Sequence, residues 1–168
     1  MPRIKVLLAA LAILVGVVPS VPLNPLLSRS ISAHTTEDPP MPLARIDLIE
    51  GKSADYRAGI GEVIYQAMLS TLDVPADDRF QIMTEHRADQ MAMDKTYLGI
   101  TRTDDCVIIQ ITLNEGRTFE KKAAFFRAVA DGLHARIGLR KEDVFINLVE
   151  VKKENWSFGN GEAQYAPK

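Results

Sequence analysis

The chain has 168 residues, with 20 Lys and Arg against 22 Asp and Glu, and a net charge of −2. This balance offers no basic face for a nucleic-acid backbone, so we expect no nucleic-acid partner. The single cysteine, Cys106, excludes an intrachain disulfide, and the three histidines lack the spacing of metal ligands, so no metal is expected.

The first 41 residues differ in composition from the rest. A short basic region precedes an apolar run over residues 6–18, which is the layout of a signal peptide and too short for an ordinary membrane span. Three alternatives stay open: export through the signal-like segment 1–33, a membrane tether, or a start codon placed upstream of the true one at Met41. The last is favoured and predicts a cytoplasmic protein, because only initiation at Met41 frees the amine of Pro42 without an additional protease.

The domain predicted for residues 42–168 opens with an alternating strand whose first residue is Pro42. If the chain is trimmed after Met41, Pro42 carries a secondary amine, whereas any internal proline nitrogen is an amide. Such an amine titrates near neutrality, so its surroundings decide its role. An apolar wall or nearby cations would make it a base, and a carboxylate would make it an acid. Asp78 is the expected carboxylate, with a turn residue as the alternative.

The sequence contains a duplication. Residues 46–53 align with residues 111–118 at a shift of 65, and the same register continues without a gap to the end of each unit. The predicted repeats occupy residues 42–85 and 107–150, and each one is typical of a strand, a helix and a returning strand.

Each repeat has its own helix signals. Ser53 and Thr118 are predicted N-caps, each placed just after a Gly-Lys or Gly-Arg pair. The predicted buried stripes are Ile60, Ile64, Ala67, Met68 and Leu72 in the first helix, and Phe119, Ala123, Phe126, Ala130, Leu133 and Ile137 in the second. A strand-helix-strand crossover makes its strands parallel and is right-handed. The fold class is therefore α/β (α+β), a four-stranded sheet with both helices on one face.

The other face of this sheet lacks a predicted cover. Its strands are apolar on more than one side, and mainly parallel sheets are buried on both faces. We therefore expect an oligomer that covers this face. The alternative is cover by the 86–105 connection or by the tail from residue 151, where aromatic residues between glycines suggest a turn or hairpin.

Arg117 follows a Glu-Gly pair at the predicted strand-to-helix turn of the second repeat, and Lys52 is its counterpart in the first. From this position a guanidinium can bind a carboxylate at two points. The alternative for either residue is a solvated cation in the first turn of a helix.

Three stretches, residues 42–53, 74–82 and 155–164, together resemble the tautomerase superfamily, with the closest likeness to its malonate semialdehyde decarboxylase branch. The likeness covers residues 42 to about 166. It implies trimers that use an amino-terminal proline as acid or base on small carboxylate-bearing oxo-acids, without metal or organic cofactor.

The resemblance also implies roles for single residues. Asp78 matches an aspartate that holds the proline or polarises water, and Arg117 matches a carboxylate-binding arginine. Trp156 and Phe158 match aromatics that wall the pocket. Asn114, a candidate substrate-binding residue, lies where the decarboxylase pattern has a second arginine. One cation fewer favours a keto–enol tautomerase, with a decarboxylase or hydratase of a 3-oxo or unsaturated acid as the alternative, and a non-catalytic binding protein if the leader is retained.

Overall fold

The computed structural model describes residues 41–166. Of the predicted leader 1–41, residues 1–40 lie outside the described residues, and so does the signal-like segment 1–33. Within residues 41–166, no helix combines the length and apolar character that crossing a membrane would require.

Four strands form one mixed sheet. The strands are β1 (Leu43–Ile49), β2 (Phe80–His86), β3 (Val107–Asn114) and β4 (Val144–Val151). The first two strands run parallel, the last two run parallel, and the two pairs meet antiparallel in the middle, in the order β2-β1-β3-β4. The predicted sheet of two β-α-β repeats is thereby confirmed.

Two helices, α1 (Ala54–Thr71) and α2 (Phe119–Ile137), connect the strands of each pair. Both predicted N-caps are present: the side chains of Ser53 and Thr118 accept the amide N–H of the third helical residue at 3.1 and 3.4 Å. Gly138 ends α2 in the left-handed conformation that glycine adopts without strain. The two helices of the duplicated unit thus begin in the same way.

The hydrophobic core lies between the helices and one face of the sheet. The α1 stripe predicted from sequence is buried in full. The α2 stripe was wrong in part, because Phe119 is 77% exposed and the buried positions are Phe125, Val129 and Leu133. The sequence of α2 carries apolar residues on more than one face, and packing against the sheet selected the face that includes Phe125.

The second face of the sheet is partly uncovered in the single chain. Phe80, Ile82 and Phe145 are each more than 40% exposed there. The 86–105 connection contains two 3-10 turns, and it meets this face near β3 and β4, whereas the tail meets it near β1 and β2. The tail contains turns and no strand among residues 152–166, so of the predicted turn or hairpin only the turn forms.

Candidate active site

The amino-terminal end of β1 opens into a cavity of about 230 Å³. Pro42 is buried at its base, beside Met41 and the paired residues Leu43 and Phe80. The tail supplies the opposite wall through Trp156, Ser157 and Phe158. The structure therefore brings Pro42 together with both aromatic residues that the sequence assigned to this site.

The aromatic wall is held by contacts within the tail. Trp156 and Phe158 stack at 5.5 Å between ring centroids, and Tyr165 lies edge-on against Phe158 at 4.9 Å. Gln164 accepts the Phe158 amide N–H at 3.0 Å and donates to the Gly159 carbonyl at 2.8 Å. Gln164 thus supports the aromatic wall. It lies in the stretch 155–164, but no signal in the sequence pointed to this role.

Asn114, the last residue of β3, links this strand to the tail. The indole N–H of Trp156 donates to Asn114 Oδ1 at 2.8 Å. Asn114 is only 4% exposed, and its Nδ2 is buried without a hydrogen-bond partner. The amide group is therefore oriented by Trp156 and retains a free donor.

Arg117 is fixed by two backbone carbonyl groups. Its Nε donates to Leu72 O at 3.0 Å, and its Nη1 donates to Asn114 O at 2.8 Å. Nη2 is buried and has no partner. Burial lowers the pKa of Arg117, opposed by the charges of Asp73, Glu150 and Asp78, and a guanidinium remains protonated in proteins. Arg117 consequently presents an oriented cationic donor.

Asp78 is a buried carboxylate without hydrogen bonds. It lies two residues before β2, and Phe80 pairs with Leu43, so Asp78 is near the start of β1. The side chain is 7% exposed, and neither of its oxygens has a partner. Burial raises its pKa to about 6, although the charge of Arg117 acts in the opposite direction.

The unpaired polar groups are concentrated at this site. Among residues 41–166, the buried side-chain atoms without a partner are both oxygens of Asp78, Nδ2 of Asn114 and Nη2 of Arg117. Buried polar groups in folded proteins are ordinarily hydrogen-bonded, so such a cluster is typical of a site that receives a ligand. In the same residues, no group of three or more His, Cys, Asp or Glu side chains is arranged to hold a metal.

Lys52, the counterpart of Arg117, lies elsewhere. It forms an ion pair with Asp105, and its carbonyl oxygen accepts from Arg57. It belongs to the opposite end of the sheet, and the structure does not bring it into the cavity beside Pro42.

Two family models described as "Tautomerase enzyme" match this chain, one over residues 42–100 and the other over residues 78–159. The chain is 40% identical over 124 residues to "Probable tautomerase YusQ" of Bacillus subtilis (strain 168), covering 74% of this chain and 98% of the relative. It is also 38% identical over 125 residues to "Probable tautomerase YrdN" of the same strain, covering 74% of this chain and 96% of the relative.

The chain is also similar to proteins of known structure. A malonate semialdehyde decarboxylase inhibited by 3-bromopropiolate is 40% identical, with a TM-score of 0.68 and coverage of 73% of this chain and 93% of that chain. A fused 4-OT symmetric trimer, at 20% identity and a TM-score of 0.62, shows the same fold over 75% of this chain and 99% of that chain. With the family models and the curated relatives, these likenesses show that the chain belongs to the tautomerase family.

Proposed function

We propose that the protein is a cofactor-independent enzyme that uses the free amine of Pro42 as general acid or base on a small keto or enol carboxylate. Keto–enol tautomerisation is the leading reaction. The observation that carries this proposal is the cluster of buried, unpaired polar atoms of Asp78, Asn114 and Arg117 near the cavity that contains Pro42.

The proposal requires that Pro42 be the first residue of the active chain. While Met41 is attached, the Pro42 nitrogen is an amide and cannot exchange a proton. Met41 also lines the cavity. Its removal would free the amine and vacate space beside that amine, so one cleavage would supply both the catalytic group and room for substrate.

The substrate carboxylate would bind to Arg117 Nη2 and Asn114 Nδ2. Both are buried donors without partners, and a charge-assisted hydrogen bond to a guanidinium is among the stronger ones in proteins. The inhibitor named for the decarboxylase relative, 3-bromopropiolate, is a small carboxylate, which supports this substrate class. Trp156 and Phe158 would pack against the carbon skeleton.

The charge state of Pro42 separates the leading reaction from its alternative. The apolar cavity wall and the cation of Arg117 favour a neutral amine, which would act as the base of a tautomerase. An ionised Asp78 favours the ammonium form, which would act as the acid in a decarboxylase or hydratase of a 3-oxo or unsaturated acid. Likeness to malonate semialdehyde decarboxylase supports this alternative.

We further propose a homotrimer. The exposed Phe80, Ile82 and Phe145 on the second sheet face give an apolar surface that an assembly would bury, and the fused 4-OT of the same fold is a trimer. Sedimentation at micromolar concentration is expected to give three copies per particle, and a monomer would contradict the assembly.

The test compares three forms of the protein that differ only at the amino terminus. A chain beginning at Pro42, a chain that retains Met41, and the first chain acetylated at its terminus would be assayed with a 2-oxo acid for tautomerisation and a 3-oxo acid for decarboxylation. We expect turnover only in the first chain, because only in that chain is the Pro42 nitrogen a basic amine. Equal turnover by all three would contradict the Pro42 mechanism, and absence of turnover in all three would favour a non-catalytic binding protein.

The pH dependence distinguishes the two chemistries. Turnover by a neutral Pro42 would rise with pH through the pKa of the amine, and turnover by its ammonium form would fall. Mass spectrometry of the native protein would show whether the mature chain begins at Pro42.

A further inference from the structure

A second cavity, of about 240 Å³, lies at the opposite end of the sheet from Pro42. It is formed between the 86–105 connection and the paired residues Ile108 and Phe145 of β3 and β4. It is nearly equal in volume to the candidate active site, so it accepts a molecule of the same size class.

This second cavity is the repeat-related equivalent of the candidate active site. The tail and the connection correspond as well, because the 3-10 turns Ala88–Gln90 and Lys153–Asn155 are 65 residues apart. Five residues that line the first cavity have mates at the same shift that line the second: Cys106 for Met41, Ile108 for Leu43, Phe145 for Phe80, Ala92 for Ser157 and Met93 for Phe158.

The second cavity has five repeat-related lining positions and nearly the volume of the first, but it lacks the polar chemistry of the first. Val107, the mate of Pro42, has an amide nitrogen inside the chain. Asp143, the mate of Asp78, accepts the Thr103 amide N–H at 2.6 Å and the Thr103 hydroxyl at 2.8 Å, so its oxygens are both occupied. The duplication has therefore left a pocket that can bind a ligand without the acid–base groups proposed for the first.

We propose that this second cavity is a non-catalytic binding site for a small organic carboxylate with an apolar body. Met93, Ile108 and Phe145 supply apolar contacts. Burial of these side chains against an apolar ligand would provide the driving force for binding.

Arg102 supplies the cation that recognises the carboxylate. Its Nη1 makes only long contacts to the carbonyl groups of Tyr97, at 3.3 Å, and Ile100, at 3.4 Å, so a carboxylate can compete for it. The one acidic residue on the wall, Asp94, uses Oδ1 to accept the Thr96 amide N–H at 2.7 Å and the Thr96 hydroxyl at 3.1 Å. The hydrogen bonds from Thr96 and the charge of Arg102 lower the pKa of Asp94, so a carboxylate that binds here would compete with Asp94 for Arg102.

Benzoate is a suitable probe, because two reporters separate the two cavities. The methyl group of Met93, labelled with ¹³C, reports on the second cavity, and Trp156, the single tryptophan, reports on the first by fluorescence. We expect a saturable benzoate-induced shift of the Met93 methyl signal. Benzyl alcohol, which has the same ring without the charge, should bind about tenfold more weakly.

Two variants test the recognition. Arg102→Met should weaken benzoate binding at Met93 about tenfold. Asp94→Asn should tighten it several-fold, because an anion is removed while the amide oxygen can still accept from Thr96. Neither variant should alter the fluorescence response of Trp156.

Three results would overturn the proposal. A fluorescence response of Trp156 without a shift of Met93 would show that only the first cavity binds. Equal binding of benzyl alcohol and benzoate would reject a carboxylate ligand. Weaker benzoate binding in Asp94→Asn would show that Asp94, and not Arg102, carries the recognition. None of these readouts depends on turnover, so the proposed function can fail while this site stands.

Discussion

The two ends of the sheet have the same backbone and different polar chemistry. At one end, the buried Asp143 has both oxygens hydrogen-bonded to Thr103, whereas at the other end its mate Asp78 has none. Lys52 pairs with an exposed carboxylate, whereas Arg117 has a buried nitrogen without a partner. The duplication therefore preserves the fold, and a ligand site arises where one copy leaves its polar groups unsatisfied.

Two residues without a polar equivalent in the other repeat produce this difference in polar chemistry. Asn114, which orients Arg117 through its carbonyl group and Trp156 through its side chain, has an isoleucine as its repeat mate, Ile49. Trp156 corresponds to Met91, which has no indole N–H to donate. The polar network at the candidate site thus depends on substitutions in one copy alone.

Removal of the buried cation should have the largest effect. Arg117→Ala is expected to lower kcat/KM for a carboxylate substrate about 10²- to 10³-fold, because a preorganised charged donor is lost. Lys52→Ala, at the mate position, should change kcat/KM less than about threefold, because its ion pair is at the surface.

Folding must be checked in the same variants, since Arg117 also satisfies the carbonyl groups of Leu72 and Asn114. Thermal unfolding of Arg117→Ala measures that contribution, and Arg117→Lys, which keeps the charge, should recover part of the activity. Equal losses from Arg117→Ala and Lys52→Ala would remove the proposed difference between the two ends.

The two aspartates should respond to substitution with opposite signs. Burial raises the pKa of Asp78 from 3.8 to about 6, so the folded state holds its proton more tightly than the unfolded state. The stability that Asp78 contributes is present below pH 3.8 and is lost as the pH rises to 6. Asp78→Asn should therefore increase the free energy of unfolding by about 2 to 3 kcal/mol at pH 8 and change it little at pH 3.5.

Asp143→Asn is the matched control for this experiment. It replaces one acceptor of two charge-assisted hydrogen bonds with an NH₂ group, so it should lower the free energy of unfolding by about 1.5 to 3 kcal/mol at pH 8. Urea unfolding at both pH values measures the two effects. Destabilisation of both variants at pH 8 would show that Asp78 has a partner in the folded protein.

Trp156→Phe isolates the contact between the tail and β3. The ring can still stack on Phe158, but the hydrogen bond to Asn114 Oδ1 is lost. A net loss of about 1 kcal/mol predicts a KM about five- to tenfold higher, with a smaller change in kcat, in steady-state assays. An unchanged KM would indicate that orientation of Asn114 does not matter for substrate.

The smallest effect is expected where the helices of the two repeats cross. A Cβ at Gly132 would lie 2.7 Å from Cγ1 of Val63. Their repeat mates, Ala67 and Ala128, line the same groove between the two helices. Gly132→Ala should lower the free energy of unfolding by about 1 kcal/mol, because overpacking exceeds the gain in helix propensity. In a Val63→Ala background, Gly132→Ala should no longer lower the free energy of unfolding in urea, and a loss that persists there would exclude this contact as the cause.

The fold could be predicted well because its signals are local. The caps at Ser53 and Thr118 and the α1 stripe are short-range patterns, and the shift of 65 residues supplied the topology. The α2 stripe was wrong in part, because helical spacing does not reveal which of two apolar faces meets the sheet. For the tail the sequence predicted a turn or hairpin, and the turn forms without paired strands, held by the contact between Phe158 and Gln164.

The sequence named the candidate site residues, and that assignment stays a prediction; their arrangement could not be predicted. The residues named from sequence lie near one cavity or are linked to it by Asn114 and Arg117, but their partners are distant in sequence. Trp156 reaches Asn114 over 42 positions, and Arg117 reaches Leu72 over 45. Contacts between residues so far apart leave no local sequence pattern. The fixed guanidinium of Arg117 and the buried polar atoms without partners could therefore be recognised only from the fold. The catalytic roles themselves stay predictions.

The most direct test is a crystal structure of the chain beginning at Pro42 with a small carboxylate inhibitor such as 3-bromopropiolate. We predict a carboxylate oxygen within hydrogen-bond distance of both Arg117 Nη2 and Asn114 Nδ2, beside the amine of Pro42. A ligand that leaves both of these nitrogens without a partner, while occupying the Arg102 end or another surface, would contradict it.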